Sequence, residues 1–280
     1  MSWAPYSGER LLFAGRDLLV CEWRCNGAKK PWFQEQTRYD ELELPRRGVH
    51  LRAIGRQRDV IDPTAAAFSG ANDEYARASP ARWPQTSTLL VVRGDLANAL
   101  IPRDSPRARR ISPDAATLHL RLLRAQDPVA VEETAIALIG RVLVPTGPDL
   151  AATKRAEGSG NVSPSWRRLS QEIQHVIATR FDERLTLETM AALCKTSPFH
   201  ASRVFRAVTG ETIHRHLMQV RLRVALFELQ RGDGRLTDIA LSTGFSSHSH
   251  FTSVFRTEFG CAPSNFVGPA KLSQRTIKIG

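Results

Sequence analysis

The sequence predicts an α+β protein of two domains. The N-terminal half is expected to form a β-barrel or β-sandwich with trailing helices, and the C-terminal half an all-α domain of two helix-turn-helix units joined by a long helix. Three observations predict this fold class. The chain has 280 residues, which is more than one ordinary domain needs. Strand-like runs fill the first half and helical periodicity the second, and one residue pattern occurs twice, 50 residues apart.

The boundary between the two halves is predicted at a stretch with the composition of a linker. Residues 151–165 are small, polar or Gly and Pro, and they show no apolar periodicity. We therefore place one domain at residues 1–150, a linker at 151–165 and the second domain at 166–270.

The N-terminal domain begins with short apolar runs that are typical of strands. Residues 18–21, 49–54 and 88–92 are β-like and are bounded by turn formers such as Gly55 and Pro63. From about Asp114 the period becomes helical, and an apolar stripe follows, made of Val131, Ala135, Leu138 and Val142. The stripe fits either a dimer seam or packing on the domain's own sheet.

The C-terminal domain opens with an amphipathic helix and then repeats one pattern. Apolar residues recur at helical spacing from Trp166 to Ile177. In the first copy the pattern consists of Ser197, His200, residues 204–206 and Gly210. The second copy has the same residue types 50 positions later, at Ser247, His250, residues 254–256 and Gly260. Six matches in register indicate a duplicated supersecondary unit.

Each copy carries the start and stop signals of two helices separated by a tight turn. In the first copy Thr186 is the expected cap of the first helix, Ser197 caps the second, and Gly210 ends it. In the second copy Thr237, Ser247 and Gly260 are expected to do the same. The generic alternative is a helical bundle without a binding role.

Residues 212–230 contain no Gly or Pro and have a strong apolar stripe, which predicts one continuous helix between the two units. Such a helix is roughly 28 Å long at 1.5 Å per residue. That length is close to the roughly 34 Å between successive major grooves on one face of B-DNA. One chain would thus place two recognition helices in adjacent grooves.

The charge of the chain favours a polyanionic partner. The formal net charge is +11, and residues 165–280 hold 16 Lys and Arg against 9 Asp and Glu. No stretch approaches the roughly 18 apolar residues of a membrane span, and the first ten residues lack a signal-peptide core. We expect a cytoplasmic protein with no membrane partner.

Residues 166–266 resemble the DNA-binding domain of the AraC/XylS family of transcription activators, most specifically over residues 239–266. The resemblance implies a regulator that binds double-stranded promoter DNA and contacts RNA polymerase. It implies base contacts from Phe199, Ser202, Arg203, His248, Ser249, Thr252 and Ser253. Many members carry Arg at the position of Ser253, and a serine cannot bond guanine in a bidentate manner, so the second unit is expected to read sequence more weakly.

Contacts to phosphates are expected from six further residues of the two units. Arg206 and Arg256 lie three residues beyond their neighbours on the recognition face, which favours phosphate over bases. His200 and His250 are placed to support the caps or to touch phosphate. The full predicted set is Ser197, His200, Arg206, Ser247, His250 and Arg256.

The N-terminal half resembles the cupin-like β-barrel that serves some members of the same family as a sensor or dimerisation domain. The likeness lies in residues 44–52, 60–63 and 68–75. It implies a small-molecule effector of unknown identity and a homodimer.

The histidines are expected to have structural or DNA-contacting roles and not to bind a metal. The pairs His214/His216 and His248/His250 are two residues apart and point to different helix faces, so neither pair converges on one ion. His119 lies beside Leu118 on a helix and is expected to be a packing residue. No nucleophile, phosphate-loop or paired-carboxylate motif occurs in residues 1–164, so we predict no enzyme, no cofactor and no metal.

The four cysteines are expected to be reduced thiols in a chain of this kind. Cys21 and Cys25 make only half of a structural zinc set, and ordinary strand residues are the simpler interpretation. A DNA-repair methyl acceptor would need a four-cysteine N-terminal cluster, which the chain lacks. The alternative function is an N-terminal thiol or metal sensor, or an enzyme domain, that the C-terminal domain localises to DNA.

Overall fold

The computed structural model describes residues 9–25, 30–55, 57–79, 84–102, 105, 107–144, 162–232, 234–268 and 277–278. Its first half is built from two antiparallel sheets, and its second half is helical. The α+β fold class with trailing helices and two helix-turn-helix units is confirmed.

The strands carry most of residues 9–110. They are β1 (Glu9–Ala14), β2 (Leu18–Cys25), β3 (Lys30–Gln36), β4 (Asp40–Arg47), β5 (His50–Ile54), β6 (Gln57–Ile61), β7 (Ala65–Ser69), β8 (Glu74–Ser79), β9 (Gln85–Val92) and β10 (Ala108–Arg110), with β11 (Ile277–Lys278) near the C-terminus. The predicted strand runs fall in β2, β5 and β9. The larger sheet has the order β10-β7-β4-β9-β2-β1-β11, with β11 parallel to β1, and the smaller one β3-β8-β5-β6.

Three helices follow or interrupt the sheets: α1 (Gly94–Leu100), α2 (Pro113–Arg124) and α3 (Pro128–Leu143). The stripe of Val131, Ala135, Leu138 and Val142 is buried in the main core, where α3 packs on α2. Its role as a dimer seam is therefore wrong, because the chain's own elements already cover this apolar face. His119 is a packing residue as predicted, and its Nε2 lies 2.7 Å from Thr88 Oγ1.

The C-terminal helices are α4 (Pro164–Arg180), α5 (Leu187–Leu193), α6 (Pro198–Thr209), α7 (Ile213–Arg231), α8 (Leu236–Ser242) and α9 (His248–Phe259), followed by a 3-10 turn at Pro263–Phe266. Most of the predicted linker lies outside the described residues. Its last two residues, Pro164 and Ser165, already belong to α4, which Ser163 caps by accepting a hydrogen bond from the Trp166 N–H at 3.3 Å. No helix within the described ranges is both long and apolar enough to cross a membrane.

The connecting helix α7 is largely buried. It begins after the Thr212 cap and ends at Gly232, whose φ of 73° is left-handed, so the predicted continuous helix is confirmed. Fourteen of its nineteen residues are buried, among them Arg221, Arg223 and His216. One continuous hydrophobic core joins the large sheet, α2 and α3 to the C-terminal helices. The two halves therefore pack together through α7.

Candidate nucleic-acid interface

Helix α6 is the second helix of the first unit, and its ends follow from the sequence. Ser197 Oγ accepts a hydrogen bond from the His200 N–H at 3.2 Å, and Pro198 fills the first helical position, where no N–H is needed. The helix ends at Gly210, which has a φ of 77° and donates its N–H to Arg206 O at 3.0 Å. The predicted cap and stop are both confirmed.

Helix α9 repeats these ends in the second unit. Ser247 Oγ accepts from the His250 N–H at 3.1 Å, and Gly260, with a φ of 74°, donates to Arg256 O at 2.8 Å. The 50-residue repeat is therefore a repeat of structure as well as of sequence.

The first helices of the two units begin differently. Thr186 caps α5 by accepting from the Thr189 N–H at 3.2 Å, as predicted. The prediction that Thr237 caps α8 is wrong, because the cap position is Arg235, whose side chain makes no capping hydrogen bond. Thr237 lies inside the first turn of α8, because the chain becomes helical at Leu236, two residues earlier than expected.

The predicted base contacts of the first unit lie together on the free face of α6. Phe199 is 77% exposed, Arg203 is exposed and Ser202 is half-buried. Residues 199, 202 and 203 are three and four positions apart, which places them on one side of a helix. The opposite face buries Ala201, Val204 and Phe205 in the core. Phe199 therefore adds an apolar ring to the exposed face of α6.

The predicted base contacts of the second unit are brought together as well. His248, Ser249, Thr252 and Ser253 line one shallow surface groove along α9, which Arg256 and Thr257 complete. Thr257 was not predicted from the sequence. Beneath this face, Phe251 and Phe255 are fully buried and meet edge-on with ring centroids 5.4 Å apart.

The six predicted phosphate ligands differ in their surroundings. Ser197 and Ser247 each accept one hydrogen bond as the caps of α6 and α9, and their hydroxyl protons remain available for donation to a phosphate. Arg206 and Arg256 are exposed near the C-terminal ends of the same helices. The ring of His200 meets Trp166 edge-on at 6.2 Å, and that of His250 meets Phe245 at 5.7 Å.

Trp166 lies beside the predicted contacts of the first unit, which the sequence pattern did not indicate. Periodicity indicates an apolar residue of α4, yet the structure leaves this ring half-buried against α6. The guanidinium carbon of Arg203 lies 5.5 Å from the centre of the Trp166 ring.

The turn of the second unit is tied to the connecting helix through Gly244, where φ is 86°. A Cβ at this position would lie 2.6 Å from Phe181 O and 2.8 Å from Arg221 Nε. Arg221, on α7, donates from Nε to Phe181 O at 2.7 Å and from Nη2 to Glu183 O at 2.8 Å. Arg221 thus lies between the loop after α4, to which it is hydrogen-bonded, and the turn of the second unit.

Two buried side chains of α7 connect it to the N-terminal half. His216 lies between Asp62 and Glu211, with nitrogen–oxygen distances of 3.2 Å and 3.0 Å. Burial favours the neutral ring, but the two carboxylates outweigh it and raise the pKa of His216. Arg223 donates to Ile111 O at 3.0 Å and lies 3.5 Å from Glu258 of α9.

His214 is exposed whereas His216 is buried, as expected from their spacing on a helix. Within the described ranges no group of three or more His, Cys, Asp or Glu side chains could hold a metal ion. Cys21 is fully buried, and burial, followed by Glu9 and Glu41, raises the pKa of its thiol to about 12.

A second candidate site is a cavity of about 160 Å³ between the two sheets. Arg77 lies over the ring of Trp23 at 4.2 Å and donates to Glu43 at 3.2 Å. Arg52 lies over the ring of Tyr75 at 4.3 Å and donates to Phe68 O at 2.8 Å. Burial favours the neutral form of Glu43, but Arg77, His50, Ser87 and Arg52 together lower its pKa to about 2. The cavity is therefore lined by fixed charges of both signs and two aromatic rings.

Comparison with known proteins places the helical half in context. A family model described as a helix-turn-helix domain matches residues 190–268. AdaA of Bacillus subtilis, a "bifunctional transcriptional activator/DNA repair enzyme", is 31% identical over 102 residues, which are 36% of this chain and 48% of AdaA. The regulatory protein SoxS of Salmonella typhimurium is 31% identical over 102 residues, which are 36% of this chain and 95% of SoxS.

The match thus covers almost all of SoxS but about half the length of AdaA. Among solved structures, apo ToxT from Vibrio cholerae aligns over 90% of this chain and 97% of that chain, with 11% identity and a TM-score of 0.37.

Proposed function

This chain belongs to the AraC/XylS family of DNA-binding transcription regulators, and from that premise we propose that it activates promoters by inserting α6 and α9 into adjacent major grooves of duplex DNA. The observation that carries the proposal is the pair of equivalently capped helices whose first turns are exposed. A recognition helix needs this arrangement, since its N-terminal residues face the base edges.

The two units are proposed to contribute unequally to sequence specificity. On α6, Arg203 is an exposed guanidinium on the predicted recognition face, and arginine bonds guanine O6 and N7 in a bidentate manner. The equivalent residue on α9 is Ser253, which offers a single hydroxyl. We therefore assign the stronger base discrimination to the first unit, with Phe199 as an apolar contact.

The proposed phosphate ligands surround these recognition faces. Arg206 and Arg256 are exposed cations on the same helices. Each such contact adds affinity without sequence preference and makes binding salt-dependent.

The test is selection of duplexes from a random pool by the full-length protein at moderate salt. The expected product is a site with two half-sites about 10 base pairs apart, the more restrictive one read by α6. Enrichment of a single half-site, or of no sequence at all, would contradict the proposal. Transcription from a promoter carrying the selected site then distinguishes activation from repression.

The cavity between the sheets is the site we propose for a small effector. A volume of about 160 Å³ accepts a molecule smaller than a typical drug. Fixed charges of both signs beside Trp23 and Tyr75 suit a small polar molecule with hydrogen-bonding groups at both ends. Contacts with RNA polymerase and a homodimer belong to the same proposal, and we assign no residues to them.

An enzymatic or thiol-sensing role for the N-terminal half is not part of the proposal. A redox-sensing thiol needs an accessible thiolate, whereas Cys21 is buried and its pKa is raised to about 12. AdaA is described as a DNA repair enzyme as well as an activator. A DNA-repair methyl acceptor needs a four-cysteine N-terminal cluster, and the N-terminal half of this sequence lacks one.

A further inference from the structure

The two units support their recognition helices in different ways. In the second unit, the ring of His250 meets Phe245, which belongs to the turn of the same unit, edge-on at 5.7 Å. Fifty residues earlier the turn position is Lys195, an exposed residue with a φ of 53°. The first unit therefore has no aromatic ring in its turn to place against His200.

Trp166 of α4 provides that ring from outside the first unit. Its indole meets His200 edge-on, with centroids 6.2 Å apart and an interplanar angle of 87°. The same indole lies 5.5 Å from the guanidinium carbon of Arg203. A guanidinium over an indole face is attracted by the ring quadrupole, and tryptophan is the best of the aromatic side chains in this respect.

The position of Arg203 explains why such support matters there. Arg203 is exposed, and a free arginine side chain has many rotamers, which it must give up when it bonds a base. The equivalent Ser253 of the second unit is short and has little freedom to lose. Trp166 contacts the long side chain of Arg203, which must be oriented, and also His200, which lies one helical turn earlier on α6.

We propose that Trp166 is a positioning residue for base recognition by the first unit, holding Arg203 and His200 in the conformation that meets the DNA. The inference rests on the proposed function, since it assigns a role within that same interface. Trp166 lies in the first turn of α4, three residues after the Ser163 cap, so its contacts with α6 come from a different helix.

A positioning role and a merely structural role predict different losses. If Trp166 only stabilises the domain, its removal weakens binding to all duplexes and at both half-sites alike. If it orients Arg203, its removal reduces discrimination at the base that Arg203 reads and leaves the half-site of α9 unchanged. The second half-site is thus an internal control.

The experiment measures dissociation constants of the full-length protein for the selected duplex and for single-base variants of each half-site. We compare the wild type with Trp166→Ala, Trp166→Phe, Arg203→Ala and the double variant Trp166→Ala, Arg203→Ala, after thermal melts confirm that each is folded. For Trp166→Ala we expect about a fivefold loss of discrimination at one base of the first half-site and none in the second, from the range of cation–π energies at exposed sites. Trp166→Phe should retain most of this discrimination. In the Arg203→Ala background, Trp166→Ala should cause no further loss of discrimination at that base.

Equal losses at both half-sites, unchanged discrimination, or a full additional loss in the Arg203→Ala background would each overturn the positioning role. These outcomes leave the proposed function intact, because the wild type still prefers its site. A wild type with no preference among duplexes would instead overturn the proposed function, and the positioning role with it.

Discussion

Nε2 of His216 in the connecting helix lies 3.2 Å from Oδ2 of Asp62, which follows strand β6 in the N-terminal half. Both side chains are at most 2% exposed. On the other side of the ring, Nδ1 lies 3.0 Å from Glu211, whose carboxylate also binds Arg110 of β10. This row of alternating acidic and basic side chains joins the two halves at the connecting helix α7.

Asp62→Asn should destabilise the folded chain by about 3 kcal/mol, because it leaves a buried imidazolium without one of its two anions. The asparagine keeps an oxygen for the hydrogen bonds that Thr64 donates to Asp62 Oδ1, at 2.8 and 2.7 Å, so the turn itself is retained. Urea unfolding at pH 6 measures the change. Glu74→Gln, at an exposed position of β8, is the control and should have almost no effect.

The same pair makes stability depend on pH with a defined sign. Because the pKa of His216 is raised in the folded state, its contribution is fully present below its ordinary pKa of about 6.5 and is lost as pH rises through the raised value. Asp62 and Glu211 have lowered pKa values and stay ionised in this range. The free energy of unfolding should therefore fall more between pH 6 and pH 9 in the wild type than in His216→Gln. Parallel curves for the two proteins would refute this assignment.

The ends of the recognition helices were predictable from the sequence because they depend on local chemistry. Ser197, Gly210, Ser247 and Gly260 act within three or four residues of themselves, and each lies where its residue type indicated. Thr237 shows the limit of such signals. A threonine near a helix start is an expected cap, but it does not determine which residue of the first turn takes the cap position.

Contacts between distant elements were not predictable in the same way. The apolar stripe of α3 fits a dimer seam as well as an internal surface, and only the placement of α2 decides between them. Periodicity correctly places Trp166 in the first helix of the second domain, but its contact with Arg203 depends on how α4 lies across α6. The charged lining of the cavity comes from strands of two sheets, so no single segment reveals it.

Gly244→Ala should destabilise the protein by about 2 to 4 kcal/mol, because the new Cβ would lie within 2.9 Å of backbone and of Arg221 at a left-handed φ. Gly210→Ala is a matched comparison, since its φ of 77° is similar but no atom lies within 4 Å of the added carbon. Gly210→Ala should lower the free energy of unfolding by only about 1 kcal/mol. Chemical denaturation of the two variants separates backbone strain from steric overlap. Equal losses in the free energy of unfolding would mean that the turn around Gly244 shifts to accommodate the Cβ at little cost.

Cys21 should resist thiol reagents in the folded protein. Its side chain is fully buried and its pKa is raised to about 12, so almost no thiolate is present at pH 8. Labelling with a disulfide reagent should modify Cys21 only after urea unfolding, with Cys21→Ser identifying the lost signal. The double variant Cys21→Ser, Cys25→Ser should regulate its promoter as the wild type does. Rapid native labelling of Cys21, or loss of regulation in the double variant, would favour the thiol-sensor hypothesis instead.

Arg203→Ala and Arg206→Ala should weaken DNA binding in two different ways, although the two arginines are only three residues apart on α6. Loss of Arg203 should weaken the free energy of binding to the selected site by about 1 to 3 kcal/mol, because a bidentate base contact disappears. It should also remove discrimination at one base pair. Loss of Arg206 should weaken binding to all duplexes alike and reduce the salt dependence by about one phosphate contact. Titrations of matched and single-base variant duplexes at several salt concentrations measure both quantities. A uniform loss for Arg203→Ala would make Arg203 a backbone contact and leave Phe199 and Ser202 to carry base recognition by the first unit.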